Sequence, residues 1–361
     1  MEGAEDLDLV CPHCRSALVE GPERWACSDC GRFYSALRGV PDLRTAEDAF
    51  LSTKADWTIA RRLDDAFDQR DFPSLLEHYF DLVGDVPPAL RKRQVAHILT
   101  APGRARQWLE ALGPQSASGP ILDLGCGSGS FLAALGARTE GVVGLDIAMR
   151  WLLVARKRLD EEGLDSVRLV CGCAERLPLK GQSVAAIVAG DVIEHVGNQA
   201  ATLAEAHRVL MPGGRLVMAS PNRFSLAPEP HVQVWGVGLL PRPWMGPYVR
   251  LAKGIDFRAV RTMSLGEWRR LLGRSPFRGG SIQAPGLPEG EVAHFVGLKR
   301  MLARAYNQVV ANPVGQRLAL RCGPLFHVVC TRSDAPAPAA GGSLATTPAT
   351  RRPTRPTATR A

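Results

Sequence analysis

A glycine-rich turn in the middle of the chain has the residue types needed to hold a nucleotide. Residues 121–132 read as a buried strand, the turn Gly125–Gly129 and the start of a helix. Glycines let the backbone approach a ligand, and a helix N-terminus presents free N–H groups. A second apolar strand ends in Asp146, where the second strand of an α/β unit places a carboxylate for ribose hydroxyls. The order G-x-G-x-G, rather than G-x-G-x-x-G, differs from a dinucleotide fingerprint.

Two histidines are candidates for general-base catalysis, because an ordinary histidine pKa of roughly 6.5 suits a base. His195 follows a predicted strand, at the carboxyl edge where open α/β sheets bind ligands. His231 lies in an irregular polar segment that leaves the next strand over the same edge. The alternative is that both are backbone-bonded or surface histidines. Asn222, Arg223 and Glu229 of the same segment are candidate substrate contacts.

Four cysteines near the N-terminus have metal-ligand spacing. Cys11 and Cys14 form one C-x₂-C pair, and Cys27 and Cys30 form a second. Two such turns complete a tetrahedral site for a structural Zn²⁺, with no open position. A module this small has too little core to fold without a metal.

Four motifs in the centre of the chain occur in the order typical of one enzyme family. They are the turn at 123–129, Cys-Ala-Glu-Arg-Leu-Pro at 173–178, the strand and turn at 186–196, and 205–214, which ends in Pro-Gly-Gly. The series resembles class I S-adenosylmethionine-dependent methyltransferases, most closely their ubiquinone-biosynthesis-like, small-molecule branch (type 11). This resemblance implies an α/β fold with a Rossmann-like seven-stranded methyltransferase sheet and helices on both faces.

The resemblance also implies that the chain binds S-adenosyl-L-methionine, and it indicates the contacting residues. Asp123 would face the cofactor amino group, Asp146 the ribose hydroxyls and Asp191 the methionine end. Ile147 would flank the adenine, and Ala174 would offer its backbone N–H to the adenine edge. The full set implied is Asp123, Gly125, Gly127, Gly129, Asp146, Ile147, Cys173, Ala174, Glu175 and Asp191.

One position departs from the family pattern. Cys173 stands where the family usually has an aspartate that accepts a hydrogen bond from the adenine amino group. Cysteine is a poor acceptor. Either Glu175 compensates for it, or the adenine is held mainly by packing.

The cysteine module resembles the zinc ribbons of small methyltransferase-activator proteins and of some ribosomal-RNA guanine methyltransferases. The residues that carry this resemblance are the two C-x₂-C pairs and Gly-Val-Pro-Asp-Leu at 39–43. Zinc ribbons often bind nucleic acid. Residues 1–45, however, carry five Arg against eight acids, and phosphate binding needs positive charge. We therefore favour packing or partner contact for this module over binding of RNA.

The motifs predict the domain organisation. Residues 1–45 form the zinc ribbon, and 46–113 form a helical cover that includes a helix through Trp108, Leu109 and Leu112. Residues 114–332 form the class I methyltransferase domain, whose last strands are expected within 277–284 and at 325–331. This domain carries a basic cap insert at about 223–262 and a helical insert at about 285–320. Residues 333–361, rich in Ala, Pro, Thr, Gly and Arg, form a disordered tail.

Composition narrows the protein class. The chain has 361 residues, of which 45% are apolar and 22% charged. These values exclude wholesale disorder, a collagen-like fibre and a disulfide mini-protein. Neither a bilayer-length apolar run nor a secretory signal is visible, so we expect a cytoplasmic protein with reduced cysteines.

The net charge of +8 is concentrated in one internal stretch and in the tail. Residues 223–275 carry nine Lys/Arg against three acids. Three interpretations of the basic insert stay open: a lid with a buried apolar face, a cap that binds an anionic substrate, and an interfacial segment that contacts a membrane.

The sequence as a whole predicts a methyltransferase that uses S-adenosyl-L-methionine and holds a structural Zn²⁺. The expected acceptor is a small molecule or a glycan- or lipid-linked molecule. An RNA methyltransferase is the second choice, supported by the ribbon and the basic insert. A third is a non-catalytic scaffold that binds the cofactor and activates a partner. Peripheral membrane contact and the oligomeric state stay open.

Overall fold

Two β-sheets organise the chain in the computed structural model, which describes residues 7–84, 91–92, 94–102, 112, 119–135, 141–257, 259–277, 280–287, 292–293 and 295–333. The expected helix through Trp108 and Leu109 lies outside the described residues, and so does the expected tail from 334 onward.

The smaller sheet belongs to the cysteine module. It is antiparallel and contains β1 (Leu18–Val19), β2 (Arg24–Cys27), β3 (Phe33–Leu37) and β4 (Val40–Pro41) in that order. The Sγ atoms of the four cysteines all lie within 4.8 Å of one another. Tetrahedral Zn–S bonds of about 2.3 Å would set sulfur atoms about 3.8 Å apart. The donor set and its spacing therefore fit a tetrahedral metal ion.

The larger sheet has seven strands in the order β10-β11-β9-β8-β5-β6-β7. Its strands are β5 (Ile121–Leu124), β6 (Val142–Asp146), β7 (Arg168–Cys171), β8 (Val184–Gly190), β9 (Leu210–Pro221), β10 (Gly280–Gln283) and β11 (Leu325–Thr331). Strands β5 to β9 are parallel, whereas β11 is antiparallel to both β9 and β10. The strand order reverses at β5, between β6 and β8. Ligands bind at such a switch point, outside the carboxyl ends of the strands.

Helices cover both faces of this sheet. Their bounds are α1 (Thr53–Phe67), α2 (Phe72–Val83), α3 (Ser130–Leu135), α4 (Met149–Glu161), α5 (Gln199–Val209), α6 (Arg242–Lys253), α7 (Leu265–Gly273), α8 (Gly297–Ala311) and α9 (Pro313–Cys322). Residues 94–102 are also helical. Local signals start these helices: Asp71 caps α2, and Ser264 with Glu267 forms a capping box at α7.

Alternate side chains of the buried strands pack against different helices. Leu122 and Leu124 face the cysteine module, α5 and α7, whereas Ile121 faces α1, α2 and α4. The strands are apolar on both sides because both faces are covered. This arrangement confirms the predicted α/β fold class, with a seven-stranded sheet and an N-terminal cysteine module.

The cysteine module packs directly against the edge of the large sheet. Leu43 N–H donates to the Cys171 carbonyl at 2.7 Å, which extends the pairing beyond β7. Trp25 and Leu43 share one hydrophobic core with Val170. The module thereby covers an edge strand that would otherwise expose unpaired backbone groups.

A buried ion network fixes the segment that follows the module. Asp56 on α1 is fully buried and accepts hydrogen bonds from the Arg44 and Arg150 guanidinium groups, both at 2.8 Å. It also accepts from the backbone N–H of Met149 at 3.0 Å. Asp56 therefore replaces the side-chain cap that α4 lacks, since Ala148 at its N-cap has none.

Within the described part of the chain, no helix combines the length and the apolar character needed to cross a bilayer.

Candidate functional site

The predicted glycine turn connects β5 to α3 in a conformation that glycine favours. The φ angles of Gly125, Gly127 and Gly129 are +73°, +49° and +73°. A Cβ on Gly125 would lie 2.3 Å from Cγ2 of Val192, so the turn packs against the loop that follows β8. A Cβ on Gly127 would meet nothing within 4 Å, which leaves open space for a ligand at that position.

Asp146 joins this turn to the end of β6. Its carboxylate accepts hydrogen bonds from the backbone N–H groups of Gly127 and Ala148, both at 2.9 Å. Each oxygen has a second acceptor site, which a ribose hydroxyl can use. Burial raises the pKa of Asp146, and the two backbone donors oppose that rise.

Asp123 presents an uncompensated carboxylate below the turn. It is 4% exposed, and its Oδ2 has no hydrogen-bond partner among the described residues. Burial raises its pKa to about 8, and the charge of Asp146 adds to the effect. A buried acceptor without a partner is costly, so a cationic ligand group is favoured here. The ammonium group of S-adenosyl-L-methionine fits this requirement.

Two of the predicted adenine contacts have structural partners. The Cys173 thiol accepts from Thr45 N–H at 3.4 Å and lies 3.7 Å from the Ala46 carbonyl. Glu175 accepts from the backbone N–H of Gly197 at 2.8 Å, ahead of α5. Cys173 thus holds the segment after the cysteine module, and Glu175 supports a loop. Their contact with adenine stays a prediction.

Other predicted cofactor residues lie along the same edge. The Ile147 carbonyl accepts from the Arg44 guanidinium at 3.1 Å, directly after β6. Ala174 is buried. Asp191 follows β8 with a φ of +53°, and its N–H donates to the Ala219 carbonyl of β9 at 3.0 Å. Burial raises the pKa of the Asp191 carboxyl.

Both candidate bases meet at this edge, although 36 residues separate them. Nε2 of His195 lies 3.2 Å from Nε2 of His231. Nδ1 of His231 lies 2.6 Å from Oε1 of Glu229, whose other oxygen accepts from the backbone N–H of His231. The structure therefore arranges Glu229, His231 and His195 in a hydrogen-bonded row.

The two rings have different proton affinities. Burial, together with the neighbouring His231, lowers the pKa of His195 to about 4. Burial also works against a charge on His231, but the Glu229 carboxylate outweighs it and raises that pKa overall. His195 is therefore uncharged at neutral pH, while Glu229 stabilises a proton on His231.

Sequence reasoning missed Glu194 as a site residue. No well-formed hydrogen bond within the described ranges reaches either carboxylate oxygen of this buried side chain, and the nearby Ser220 hydroxyl only partly offsets the rise in its pKa. Burial raises its pKa to about 8, with Asp191 adding to the rise. Ligand atoms of Glu194, His195 and His231 all lie within 4.8 Å of one another, so these residues could hold a divalent metal ion. The signal was available, because Glu194 directly precedes His195 in the same turn.

Three polar residues at the end of β9 and directly after it complete the surroundings. Ser220 Oγ and Asn222 Nδ2 are buried without a hydrogen-bond partner among the residues described, and the sequence analysis did not single out Ser220. The Arg223 guanidinium donates to the carbonyls of Gly238 and Leu240 at 3.2 and 3.0 Å. Two donors of Arg223 are thus already bonded to the backbone of the insert. Its contact with the substrate stays a prediction.

Comparison with known proteins finds a family match over the part of this site that lies before residue 219. Residues 122–218 match the family model described as a methyltransferase domain. An uncharacterised 37.1 kDa protein in transposon TN4556 of Streptomyces fradiae is 41% identical over 108 residues, which cover 29% of this chain and 31% of that protein. The mitochondrial ubiquinone biosynthesis O-methyltransferase of Rattus norvegicus is 32% identical over 110 residues, which cover 30% of this chain and 32% of that protein.

These matches cover about a third of each curated relative. Among solved structures, an S-adenosylmethionine-dependent methyltransferase from Mesorhizobium loti aligns with a TM-score of 0.44 and 21% identity. That alignment covers 64% of this chain and 100% of the other.

We predict that replacing Asp146 by Ala weakens binding of S-adenosyl-L-methionine by about 1.5–3 kcal/mol, because charge-assisted hydrogen bonds are lost. Asp146→Asn keeps one acceptor oxygen and should lose less. Isothermal titration calorimetry measures both values. The exposed Asp165, in the loop before β7, provides the control Asp165→Ala. Equal affinity of the wild-type protein and Asp146→Ala would place the ribose elsewhere.

Proposed function

We propose that this protein, whose residues 122–218 form a methyltransferase domain, transfers a methyl group from S-adenosyl-L-methionine to an oxygen atom of its acceptor. The observation that carries the proposal is the position of the histidine row. Val192, three residues before His195, packs against Gly125 of the glycine turn. The predicted cofactor site and the candidate bases are therefore neighbours at one edge of the sheet.

This chain's own residues hold and orient the cofactor. Asp123 accepts from its amino group, and Asp146 accepts from the ribose hydroxyls. The Gly125–Gly129 turn lines the methionine and ribose part, and Asp191 closes the methionine end. When bound, the cofactor supplies an already activated methyl group. The protein then has to align the acceptor and exclude water.

The histidine row removes the proton that an oxygen acceptor must lose. A hydroxyl against the Nε2 atoms of His195 and His231 can pass its proton to this pair. The adjacent Glu229 carboxylate stabilises the imidazolium that forms. A base of this kind contributes ~10²–10⁴-fold to the rate.

The acceptor class follows from the surroundings of the site. The insert at 223–262, which follows the last strand of the site, is rich in aromatic residues, and this favours a small molecule or a glycan- or lipid-linked molecule. An RNA acceptor is the second candidate, supported by the excess of Lys/Arg in 223–275. The acidic cysteine module disfavours RNA, because phosphate binding needs positive charge. Transfer of labelled methyl groups to fractionated small molecules, lipids and RNA identifies the acceptor. Absence of any transfer would favour a non-catalytic scaffold.

We predict that His195→Ala and His231→Ala each lower kcat on the labelled fraction by ~10²-fold or more, because either change breaks the hydrogen-bonded pair that accepts the proton. Cofactor affinity should stay within twofold of the wild-type value (roughly 0.4 kcal/mol). His78→Ala on α2 is the matched control and should keep the full rate. Near-full rates in both site variants would mean that orientation alone drives transfer.

A divalent cation at Glu194, His195 and His231 is a second way to activate the oxygen. The unpartnered Glu194 carboxylate favours this candidate, because a buried acceptor beside two imidazoles is the donor set of a metal site. A cation bound here would hold the acceptor oxygen and lower its pKa.

We predict that Mn²⁺ binds this cluster with one-to-one stoichiometry and releases a proton, because Glu194 is protonated at neutral pH without it. Calorimetry in two buffers of different ionisation enthalpy measures both quantities. Glu194→Gln should abolish the binding, and Glu77→Gln on the exposed side of α2 should not. Methyl transfer unaffected by chelators would leave the histidine row as the base acting alone.

The cysteine module, in our proposal, holds one structural Zn²⁺ between Cys11, Cys14, Cys27 and Cys30. The Tyr34 hydroxyl lies 3.0 Å from Cys11 Sγ, where it can donate to a thiolate. Such support around a metal orients its ligands.

We predict about one Zn per chain on metal analysis of the purified protein. Cys27→Ser should release the metal and lower the melting temperature of the whole chain, because Trp25 and Leu43 share a core with the large sheet. Cys322→Ser, at the end of α9, should change neither quantity. A fully folded module without metal would contradict the assignment.

A further inference from the structure

Helices α8 and α9 leave an unusual amount of apolar surface uncovered. Among their residues, Ala303, Val310 and Ala319 are buried apolar side chains. Larger apolar side chains point to solvent, and Val314 is 73% exposed. The exposed set comprises Leu298, Met301, Leu302, Val309, Val314 and Leu318. Exposed apolar patches of this kind mark interaction surfaces.

Every charged side chain of these two helices is positive. Residues 297–322 contain five Lys/Arg and no Asp or Glu. Among the described residues, none of these five side chains forms an ion pair. Apolar side chains interleaved with unpaired cations characterise helices that lie in a membrane interface.

Hydrogen bonds join this helix pair to the basic insert. Leu226 N–H donates to the Cys322 carbonyl at the end of α9, at 3.0 Å. Trp235 Nε1 donates to the Leu226 carbonyl at 2.9 Å, and the Tyr248 hydroxyl donates to the Trp235 carbonyl at 3.0 Å. Leu226, Trp235 and Tyr248 are themselves exposed. The uncovered surface therefore continues from α9 to α6.

Helix α6 continues the same chemistry. Met245 and Val249 are buried, whereas Trp244, Tyr248 and Leu251 form an outward stripe at helical spacing. Trp244 is 67% exposed and Leu251 is 88% exposed. Tryptophan and tyrosine prefer the headgroup region of a bilayer, and α6 also carries Lys/Arg but no acid.

We propose that this docking face, made of α8, α9, Leu226, Trp235 and the outer side of α6, binds an anionic lipid bilayer. Negative lipid headgroups complement the unpaired cations, and the exposed aliphatic and aromatic side chains enter the interface. A second copy of the chain is disfavoured as the occupant, because pairing would bring two acid-free cationic helix pairs together. RNA is disfavoured because the exposed aliphatic side chains would gain no contact with phosphates.

The docking face lies beside the histidine row. Leu226 stands three residues before Glu229 in the same loop, and His231 follows two residues later. A bilayer on this face would therefore adjoin the edge of the sheet where the site lies. The proposal concerns membrane binding alone and holds whether or not methyl transfer occurs.

Sedimentation of the full chain with lipid vesicles tests the proposal. The wild-type protein should sediment with vesicles of phosphatidylcholine and phosphatidylserine and only weakly with phosphatidylcholine alone. Binding should decrease as salt is raised, because the cations act through screened charge. The double variant Leu302→Glu with Leu318→Glu should bind the mixed vesicles about tenfold more weakly or worse. Arg317→Glu with Arg321→Glu should lose the preference for phosphatidylserine.

Val19→Glu, an exposed apolar position on the cysteine module, is the matched control and should bind as the wild type does. An unchanged melting temperature and unchanged binding of S-adenosyl-L-methionine show that each variant is folded, independently of any activity. Equal sedimentation of wild type and the leucine variant would overturn the proposal. So would a dimer in solution that the leucine variant dissociates, or binding to single-stranded RNA without binding to vesicles.

Discussion

The position of the site depends on the ion pairs that the buried carboxylate of Asp56 forms with two arginines. This carboxylate neutralises Arg44, at the end of the cysteine module, and Arg150, in the first turn of α4. Asp42 and Asp48 complete the pairing of these two cations. Loss of one partner from such a buried network costs about 3–5 kcal/mol, because a charge is left unpaired in the interior. The network therefore holds the N-terminal module, α1 and α4 in one arrangement.

The ion network is connected to the predicted cofactor residues through the start of α4. Asp146 ends β6 and accepts from Ala148 N–H, one residue before the backbone groups that Asp56 caps. A second group of contacts joins the cysteine module to α5 and to the segment after β7. Glu205 on α5 accepts from Arg15 at 2.8 Å and from the backbone N–H of Leu177 at 2.8 Å. The cysteine module thus supports the large sheet through contacts with α5 and with the segment after β7.

Much of the fold could be predicted from local sequence signals. The predicted last strand and β11 coincide at 325–331, because this segment is an apolar run; β10 lies inside the predicted 277–284, although Ile282 is its only large apolar residue. Strand β9 begins at Leu210, inside the 205–214 motif, because Leu210 pairs with Val184 across a register shift, and no local pattern marks such a shift. The ordinary pKa of histidine and the position of both residues after predicted strands were enough to predict His195 and His231 as candidate bases.

The contacts that escaped prediction link residues far apart in sequence. Cys173 is bonded to Thr45, 128 residues away, and Asp56 to Arg150, 94 residues away. On an amphipathic helix an aspartate reads as part of the solvated face, so burial of Asp56 depends on tertiary packing. Glu194 directly precedes His195 in the sequence, but its burial depends on tertiary packing and leaves no local signal.

The edge of the sheet carries a concentration of unsatisfied groups that the rest of the fold must tolerate. Oδ2 of Asp123 and both carboxylate oxygens of Glu194 lack a hydrogen-bond partner among the described residues, and burial raises each pKa to about 8. A folded-state pKa above the unfolded value means that the folded chain binds more protons. Stability therefore falls as pH rises from about 4 to 8 through these two groups.

An ammonium group at Asp123, or a cation at Glu194, would replace the bound proton and remove this penalty. Ligands that bind only the folded state stabilise it by mass action. The polar groups that lower the stability of the ligand-free protein would thus be the same groups that bind the proposed ligands. The ion network around Asp56 and the packing of the cysteine module against β7 offset this loss of stability. Neither of them includes Asp123 or Glu194.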